Sequence, residues 1–312
     1  MKTTQKFPQL LTLALAALSL TVISSSCKDD DPMPTPVPNI VQLAQSDTSL
    51  SILVSAVTKA GLGGTLSTTA DLTVFAPTNN AFRAAGFPQS RIDALTAAEV
   101  TSVLVPILTY HVLGSVVRAA NVPVSDAVTT LNTKKLFASR NANGVFVNGI
   151  KVVAADLTAS NGVVHVIGKV LIPPTRSITE IVVGNPNFSL LETAVIRANL
   201  AATLGGAGKF TVFAPVNSGF PASLDTDAEI NAAPVGTVAG IVTSHAFATN
   251  IFAGDLVAGN TGVTVNPATT LTIGLAPASV KITGSTNTAS AIIATDSVAT
   301  NGVIHIIDKI LL

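Results

Sequence analysis

The sequence contains the same unit twice, and this duplication limits the possible folds more than any other feature. The stretch Leu72-Thr73-Val74-Phe75-Ala76-Pro77-Thr78-Asn79-Asn80-Ala81-Phe82 recurs 138 residues later, and the stretch 156–167 recurs as 296–307, an offset of 140. Solenoid units repeat every ~20–50 residues, so a period this long indicates a duplicated domain. We therefore predict two domains, at 39–174 and 175–312, joined by a short Pro-containing segment.

The composition fits two folded domains and excludes several functional classes. Hydrophobic residues make up 48% and charged residues 11%, which is too apolar for a disordered chain. Lys2 and Lys6 lie in a leader, which leaves 15 Lys and Arg against 17 Asp and Glu. A nucleic-acid partner is therefore not expected, because no positive field would attract one. The single cysteine excludes an intrachain disulfide framework and a thiolate metal cage.

Residues 1–26 are predicted to be a secretory signal peptide. Two lysines precede the apolar run 10–23, which is too short to span a bilayer and ends at small residues. Cys27 then follows in Ile23-Ser24-Ser25-Ser26-Cys27, which resembles a bacterial lipobox, although Ser24 stands where leucine is usual. We predict lipidation at Cys27. The alternative is an ordinary signal peptide with a free thiol nearby.

Residues 27–38 are predicted to form a tether after the lipidated cysteine. Lys28 and the three aspartates after it resemble the start of Bacteroidetes lipoproteins that are exposed on the outer surface. Alternating prolines from Pro32 to Pro38 favour an extended, semi-rigid stalk, and a merely solvated linker fits the same pattern. We therefore expect an exported, surface-exposed protein of the outer membrane that contacts the membrane only through its lipid.

Each unit is predicted to be α+β, with helices first and an antiparallel sheet after them. Leu50, Leu53 and Val57 recur at helical spacing, and a capping box at Thr96 opens a second apolar stripe that Pro106 is expected to kink. After this stripe the period falls to two. Short β-branched runs are then separated by Asn143-Gly144, Asn148-Gly149 and Asn161-Gly162, and Asn-Gly is the strongest short hairpin signal.

Three motifs together resemble the fasciclin (FAS1) domain family. They are the Thr-Val-Phe-Ala-Pro-Thr-Asn block, the Tyr110-His111 pair and the terminal Asn-Gly-Val-x-His-x-Ile block, and the two copies cover nearly everything after residue 39. The resemblance implies a compact wedge in each unit, a bent β-sandwich-like sheet with helices packed along it. It also implies a secreted or surface-anchored protein, associated with cell adhesion and matrix contact.

The resemblance makes Tyr110 and His111 candidate contact residues. This Tyr-His pair matches an element that is linked in some animal members to integrin contact, whereas the second unit has Ser244-His245 and lacks the aromatic half. A bacterial chain has no integrin by default, so the receptor is left open. Since Tyr110 is the only tyrosine, local packing is the competing interpretation.

The four histidines occupy matched positions, which raises the possibility of a metal or catalytic site. A lone histidine on an apolar face is usually a hydrogen-bonded core residue, and no His-x-x-x-His or Glu-x-x-His spacing occurs. We therefore expect no metal, no cofactor and no catalytic residue. Asn79 and Asn217 are expected to cap the short helices that follow them. The motif residues predicted to be mainly structural are Phe75, Pro77, Asn79, Phe82, Asn161, His165, Phe213, Pro215, Asn217, Phe220, His245, Asn301 and His305.

The sequence favours a non-enzymatic surface lipoprotein that mediates adhesion or matrix contact through its two units. The partner would be a surface or matrix protein or glycan of unknown identity. The alternative is an envelope module that binds a polysaccharide or an apolar ligand in a groove between the units, without an adhesive role. The glycan version has little support from composition, because sugars usually stack on Trp or Tyr and the chain has no Trp and one Tyr.

Overall fold

Short helices packed against a bent sheet make up each repeat. The computed structural model describes residues 36–123, 125–256, 261–275, 278–283 and 289–311. The predicted signal peptide, Cys27 and the tether up to residue 35 lie outside these residues. Residues 37–312 form one compact unit that contains both repeats, named domain 1 and domain 2 below. The predicted α+β class is confirmed.

Domain 1 begins with helices and ends with strands, and one strand lies among the helices. Its helices are α1 (Ile40–Ser46), α2 (Ser51–Lys59), α3 (Gly63–Thr68), α4 (Asn79–Ala84), α5 (Gln89–Ala94), α6 (Ala97–Glu99) and α7 (Val105–Tyr110). Its strands are β1 (Leu72–Pro77), β2 (Val112–Leu113), β3 (Ser125–Thr129), β4 (Lys135–Asn141), β5 (Gly144–Val147), β6 (Ile150–Ala159) and β7 (Gly162–Ile167).

Domain 2 repeats this order with two helices fewer among the described residues. Its helices are α8 (Ile178–Val183), α9 (Ser189–Arg197), α10 (Ala201–Gly205), α11 (Asp227–Ala232) and α12 (Val235–Ser244). Its strands are β8 (Phe210–Pro215), β9 (Ala246–Phe247), β10 (Thr261–Val263), β11 (Thr270–Leu275), β12 (Ala278–Thr283), β13 (Ala289–Ala299) and β14 (Gly302–Ile307).

The capping box predicted at Thr96 starts α6. Its hydroxyl accepts a hydrogen bond from the Glu99 backbone, and the Glu99 carboxylate accepts one from the Thr96 backbone. Hydrogen bonds from Thr96, and then from Arg91, lower the pKa of Glu99 to about 2. The turn Val100–Leu104 is π-helical and leads into α7, which has Pro106 in its first turn. The wider turn thus lies just ahead of the proline, which has no N–H for the ladder.

The sheet of domain 1 has the order β2-β1-β7-β6-β5-β4-β3, and that of domain 2 has the order β10-β11-β12-β13-β14-β8-β9. The three predicted Asn-Gly steps separate β4, β5, β6 and β7, as expected. The prediction of a purely antiparallel sheet needs one correction, because β1 pairs with β7 in parallel and β8 pairs with β14 in parallel. The parallel pairs bring the beginning and the end of each repeat together.

Glycine is required where each parallel pair begins. A Cβ on Gly162 would overlap the carbonyl oxygen of Leu72, and a Cβ on Gly302 would overlap that of Phe210. The Asn-Gly step before β7 therefore serves strand packing as well as the turn. Any side chain here would push β1 and β7 apart, because the obstacle is backbone that cannot rotate away.

Each domain has two apolar clusters, one on each side of its central strands. In domain 1 the larger cluster joins the helices to β1 and β7, and the smaller one lies within the bend of the sheet around Phe75 and Tyr110. Domain 2 repeats the arrangement, with Phe213 at the position of Phe75. Long-range burial of this kind holds short helices that would not be stable alone.

No single helix in the described part of the chain is long and apolar enough to cross a membrane. One pair of helical segments, Ile40–Ser46 and Thr48–Lys59, passes that test by length and composition only when taken together, and it is bent by 106°. Its residues Ile40, Leu50 and Leu53 belong to the core of domain 1.

Candidate functional site

The histidines of β7 and β14 are buried hydrogen-bonding groups that lie on aromatic rings. His165 Nε2 donates to the Val117 carbonyl oxygen at 2.8 Å, while its Nδ1 accepts the Asp156 N–H at 3.2 Å. Its ring stacks on Phe75 with centroids 5.5 Å apart. His305 has the matching contacts in domain 2, and burial lowers its pKa. Both ring nitrogens of each residue are therefore occupied.

The second matched pair is His111 and His245. Each of them joins a helix to the segment that follows the last strand of its domain. His111 Nδ1 donates to the Ile107 carbonyl oxygen at 2.8 Å, and its Nε2 accepts the Leu171 N–H at 2.9 Å. His245 repeats these bonds with Ile241 and Leu311. Burial lowers the pKa of each histidine to about 4, so both rings are neutral at pH 7.

Tyr110 is part of the core and has no exposed surface. Its exposed fraction is 0%, and its hydroxyl donates to the Lys135 carbonyl oxygen at 2.9 Å. The same hydroxyl accepts a hydrogen bond from Asn148 Nδ2 at 2.9 Å, and burial raises the pKa of Tyr110 to about 12. His111 is 2% exposed. We therefore withdraw Tyr110 and His111 as contact candidates, because fully packed rings offer no surface to a partner.

Domain 2 fills the position of Tyr110 with a smaller hydrogen-bonded group. Ser244 is buried, and its hydroxyl bonds to the Gly240 carbonyl oxygen and to Thr269 Oγ1. Asn266 Nδ2 also donates to this hydroxyl. The loop before β11 thus approaches the serine where a ring would otherwise lie. The difference between the two domains is one of packing.

Asn161 and Asn301 connect the helices of each domain to the turn before its last strand. Asn161 Oδ1 accepts the Ile40 N–H, and its Nδ2 donates to the carbonyl oxygens of Leu66 and Thr69. Asn301 makes the same three bonds, to Ile178, Leu204 and Gly206. Each side chain joins the first helix of its domain to the helix before its first long strand.

The capping role predicted for Asn79 and Asn217 is wrong. Thr78 caps α4, and Asn79 reaches instead to the start of α2, where it accepts the Ile52 N–H and donates to the Thr48 carbonyl oxygen. Asn217 has the same relation to the start of α9 through the Leu190 N–H. Each asparagine therefore caps a helix 27 residues before it in the chain.

The remaining motif residues lie where the packing requires them. The exposed fractions of Phe75, Phe82 and Phe213 are 1%, and that of Phe220 is 9%. Pro77 and Pro215 are the last residues of β1 and β8. Within the described ranges, no group of three or more His, Cys, Asp or Glu side chains could hold a metal ion.

The two domains meet across an interface with an aromatic centre. Phe137 of β4 and Phe252 of domain 2 lie with ring centroids 5.7 Å apart and pack with Val303. A Cβ on Gly254 would overlap the Phe146 ring, so glycine leaves room for this ring at the interface. The exposed fractions of Phe137 and Phe252 are only 6% and 2%.

Polar contacts surround this aromatic centre. Ser139 Oγ donates to Asp255 Oδ1 at 2.6 Å, and Asn141 Nδ2 donates to the Gly254 carbonyl oxygen at 2.8 Å. Lys209 and Asp126 form an ion pair of 2.7 Å at the exposed edge, and the hydrogen bond from Lys209 is the main cause of the lowered pKa of Asp126. An apolar centre with a polar rim is typical of specific interfaces.

A cleft of about 400 Å³ opens beside this interface and beneath the segment that joins the domains. Its lining from domain 1 is the turn 148–150 and residues 169–172, and domain 2 contributes Ile181 and residues 295–298. The connecting segment 173–176 forms another wall. Ligand sites commonly have such volumes and commonly lie between domains. This cleft is the candidate functional site.

Each domain also encloses a smaller apolar cavity under its first helices. The two cavities have volumes of about 50 and 40 Å³, and His111 and His245 lie on their walls. A cavity of this size and lining holds a few apolar atoms at most. The cleft between the domains is therefore the better candidate for a ligand.

The comparison with family models decides the family. The model of the Fasciclin domain matches residues 48–173 and again 186–312. The chain belongs to the fasciclin family. The two matches lie within the predicted units 39–174 and 175–312, whose limits stay a prediction. The tandem arrangement that the three motifs suggested is confirmed.

Relatives of this fasciclin protein occur in bacteria and in animals. Protein sll1483 of Synechocystis sp. is 37% identical over 166 residues, which cover 52% of this chain and 88% of that protein. Transforming growth factor-beta-induced protein ig-h3 of Oryctolagus cuniculus is 31% identical over 250 residues, which cover 77% of this chain. The chain spans about a third of the rabbit protein, because the match covers 34% of its length.

One solved structure is a FAS1 domain pair from the insect cell adhesion molecule Fasciclin I. It matches 87% of this chain and 95% of that chain, with 19% sequence identity and a TM-score of 0.41. The family assignment of the chain rests on the family model.

Sequence reasoning missed the residues that form the interface and the cleft. In the sequence, Phe137 and Phe252 look like any other apolar positions. No motif shows that Lys169, Arg176 and Asp296 lie around one cleft. A comparison of the two repeats could have revealed Phe252, because an aromatic residue stands there where domain 1 has the charged residue Arg118. Arg118 and Phe252 each precede a 3-10 turn whose first N–H bonds to a matched aspartate, Asp156 or Asp296.

Proposed function

We propose that this fasciclin protein is an exported, lipid-anchored surface protein that mediates adhesion or matrix contact. Family membership supports the proposal, because the resemblance to fasciclin domains implies a surface or extracellular protein of this kind. The observation that carries it is the interface around Phe137 and Phe252, which packs the two domains against each other. A partner would therefore meet both domains at once. The partner is a surface or matrix protein or glycan. The proposal includes no catalytic activity.

A second function, ligand binding in the envelope without adhesion, is supported by the cleft between the domains. Its volume of about 400 Å³ is sufficient for a small ligand or for one or two units of a polysaccharide. Among the described residues that line the cleft none is aromatic, which disfavours a neutral sugar, because neutral sugars usually stack on a ring.

Adhesion can be tested with beads that carry residues 37–312, the compact unit of the structure. Beads with the folded unit should adhere to cell-surface or matrix preparations better than beads with the same chain after heat unfolding. Equal adhesion by the two kinds of bead contradicts the proposed function. Binding of soluble ligands without bead adhesion supports the second function instead.

The anchoring part of the proposal predicts the effect of Cys27→Ala. Because one residue would carry all the acylation, this variant should leave the membrane fraction and appear in the soluble exported fraction. Each buried CH₂ of a lipid chain contributes about 0.8 kcal/mol to membrane binding, so its loss should be decisive. The measurement is fractionation after a high-salt wash, with Ser26→Ala as the matched control. A Cys27→Ala protein that stays with the membranes shows the lipid anchor to be wrong.

A further inference from the structure

Lys169 and Arg176 both line the cleft between the domains, and neither is in a direct ion pair within the described residues. Lys169 follows β7 and Arg176 ends the connecting segment, and both are exposed residues of the lining. In the described part of the chain, the ion pairs of Lys and Arg are Arg91 with Glu99 and Lys209 with Asp126. Lys169 and Arg176 are therefore free of direct ion pairs. Lys169 acts electrostatically on Asp296, and Arg176 acts electrostatically on Glu180. A carboxylate ligand in the cleft would face two cations without displacing an existing ion pair.

Asp296 adds an acceptor to the same cleft. Its Oδ1 accepts the Ala253 N–H at 2.8 Å, and its Oδ2 lies beside Gly149 and accepts no hydrogen bond from the described residues. A side chain on Gly149 would meet this oxygen at 2.6 Å, so the glycine leaves room beside the carboxylate. A ligand hydroxyl that donates to Oδ2 would complete its hydrogen bonding.

The rest of the lining is a mixture of short polar and aliphatic groups. Thr175, Thr295 and Ser297 provide hydroxyls, and Ile172 and Pro173 provide apolar surface. Ile172 is 54% exposed, so its side chain is accessible to a ligand. A sugar ring presents hydroxyls at its edge and C–H groups on its face. A carboxylate on that ring would match the two cations, which a neutral sugar cannot do.

We propose that the cleft binds an acidic saccharide, with the sugar carboxylate on Lys169 and Arg176 and a ring hydroxyl donating to Asp296. This inference rests on the proposed contact function, for which it names a class of partner and a place. It also accounts for a cleft whose described lining residues include no aromatic side chain, because charge-assisted hydrogen bonds replace ring stacking as the source of affinity. The binding should weaken as the salt concentration rises.

The test measures binding of a galacturonate trimer to residues 37–312 by calorimetry. The methyl-esterified trimer is the matched ligand, since it loses only the negative charge. Lys169→Gln/Arg176→Gln should weaken binding of the acidic trimer about tenfold or more, which corresponds to about 1.4 kcal/mol. Lys309→Gln is the matched control, because Lys309 follows β14 as Lys169 follows β7 and lies outside the cleft. Inorganic sulfate is added to distinguish a saccharide site from a general anion site.

Three outcomes overturn the inference, and melting curves first show that each variant is folded. They are no binding of the acidic trimer at millimolar concentration, equal binding of the esterified trimer, and equal competition by sulfate. The bead assay separates this failure from that of the proposed function. If beads with the double variant adhere as well as wild-type beads, the cleft is not the adhesive contact. The proposed adhesive function is then unaffected. If wild-type beads do not adhere, the proposed function itself fails.

Discussion

Buried polar side chains in this protein have partners for nearly all their polar atoms. In the described residues, Arg197 Nε and Asn250 Oδ1 are the buried side-chain atoms without a hydrogen-bond partner. The ring nitrogens of His111 and His245 and the hydroxyl of Tyr110 all have hydrogen-bond partners inside the core. A polar group left unpaired in such surroundings costs ~1–3 kcal/mol, so the partners of these groups contribute to the stability of the fold. The repetition of the histidines in both domains follows from that cost and needs no catalytic role.

The lowered pKa values of His111 and His245 predict a loss of stability in mild acid. The folded values are about 4 and the ordinary value is 6.5, so between these limits the unfolded chain binds protons that the folded chain does not. The stabilisation is complete above pH 6.5 and is lost as the pH falls towards 4. The free energy of unfolding should fall by about 1.4 kcal/mol per pH unit for each histidine.

Denaturant titrations at constant ionic strength measure this slope. Since carboxylates also titrate in this range, His111→Gln is the control and should lose its share of the slope. NMR gives a second check that does not depend on the stability of the variant. A folded-state imidazole signal of His111 that titrates near the ordinary pKa would contradict the prediction.

Tyr110 is predicted to act on stability and not on adhesion. Tyr110→Phe keeps the ring but leaves Asn148 Nδ2 and the Lys135 carbonyl oxygen without the hydroxyl, which should cost ~1–3 kcal/mol. Tyr110→Ser also creates a cavity and should cost ~3–5 kcal/mol. Equilibrium unfolding provides the measurement. Weaker bead adhesion by a Tyr110→Ser protein of unchanged stability would restore Tyr110 as a contact residue.

Among the secondary-structure elements, the parallel pair β1 and β7 most constrains each domain. It joins the first strand to the last, which are separated by 84 residues between Pro77 and Gly162. His165 and Asn161, which lie on or beside β7, then connect this pair to the helices and to the segment before β3. The stability of the domain therefore depends on contacts between its two ends.

This pairing predicts that Gly162→Ala is strongly destabilising. The added Cβ meets the Leu72 backbone, so relief requires β1 and β7 to separate, at a cost of ~3 kcal/mol or more. Gly64→Ala is the matched control, because a Cβ there has no atom within 4 Å. It should be neutral or stabilise the protein by up to ~1 kcal/mol, since alanine favours the helix α3. Thermal unfolding of the two variants checks this, and equal melting temperatures would contradict it.

Sequence patterns predicted the elements with local signatures and missed the contacts between distant ones. The period-two runs predicted β5, β7 and the start of β6. The Thr96 capping box predicted the start of α6. The β1–β7 pairing could not be predicted, because periodicity shows which face is buried and not which strand lies beside it. Asn79 was misassigned for the same reason, since its helix is distant in the chain. The cleft depends on all of these contacts at once.

The two domains carry different residues at matching positions of the faces where they could meet. Phe252 of domain 2 lies against Phe137 of domain 1, and the equivalent positions on the outward faces hold Arg118 and Thr272. Arg118 is exposed. Heterologous contacts between repeated units continue into filaments when the outer faces remain complementary. Polar residues at the outer faces favour a closed pair of domains, as the capping repeats of solenoids do.

This asymmetry predicts that Phe252→Arg, which places the domain 1 residue in domain 2, separates the two domains. It removes the ring that packs on Phe137 and puts a charge into the apolar centre of the interface, which should weaken the coupling by ~3–5 kcal/mol. We expect two unfolding transitions in place of one, a larger radius of gyration in solution scattering, and faster proteolysis of the connecting segment 173–176. Arg118→Ala changes the equivalent outward position and should leave all three measurements as in the wild type. A Phe252→Arg protein with an unchanged radius and one transition would show that other contacts hold the domains together, and that the aromatic centre does not determine their arrangement.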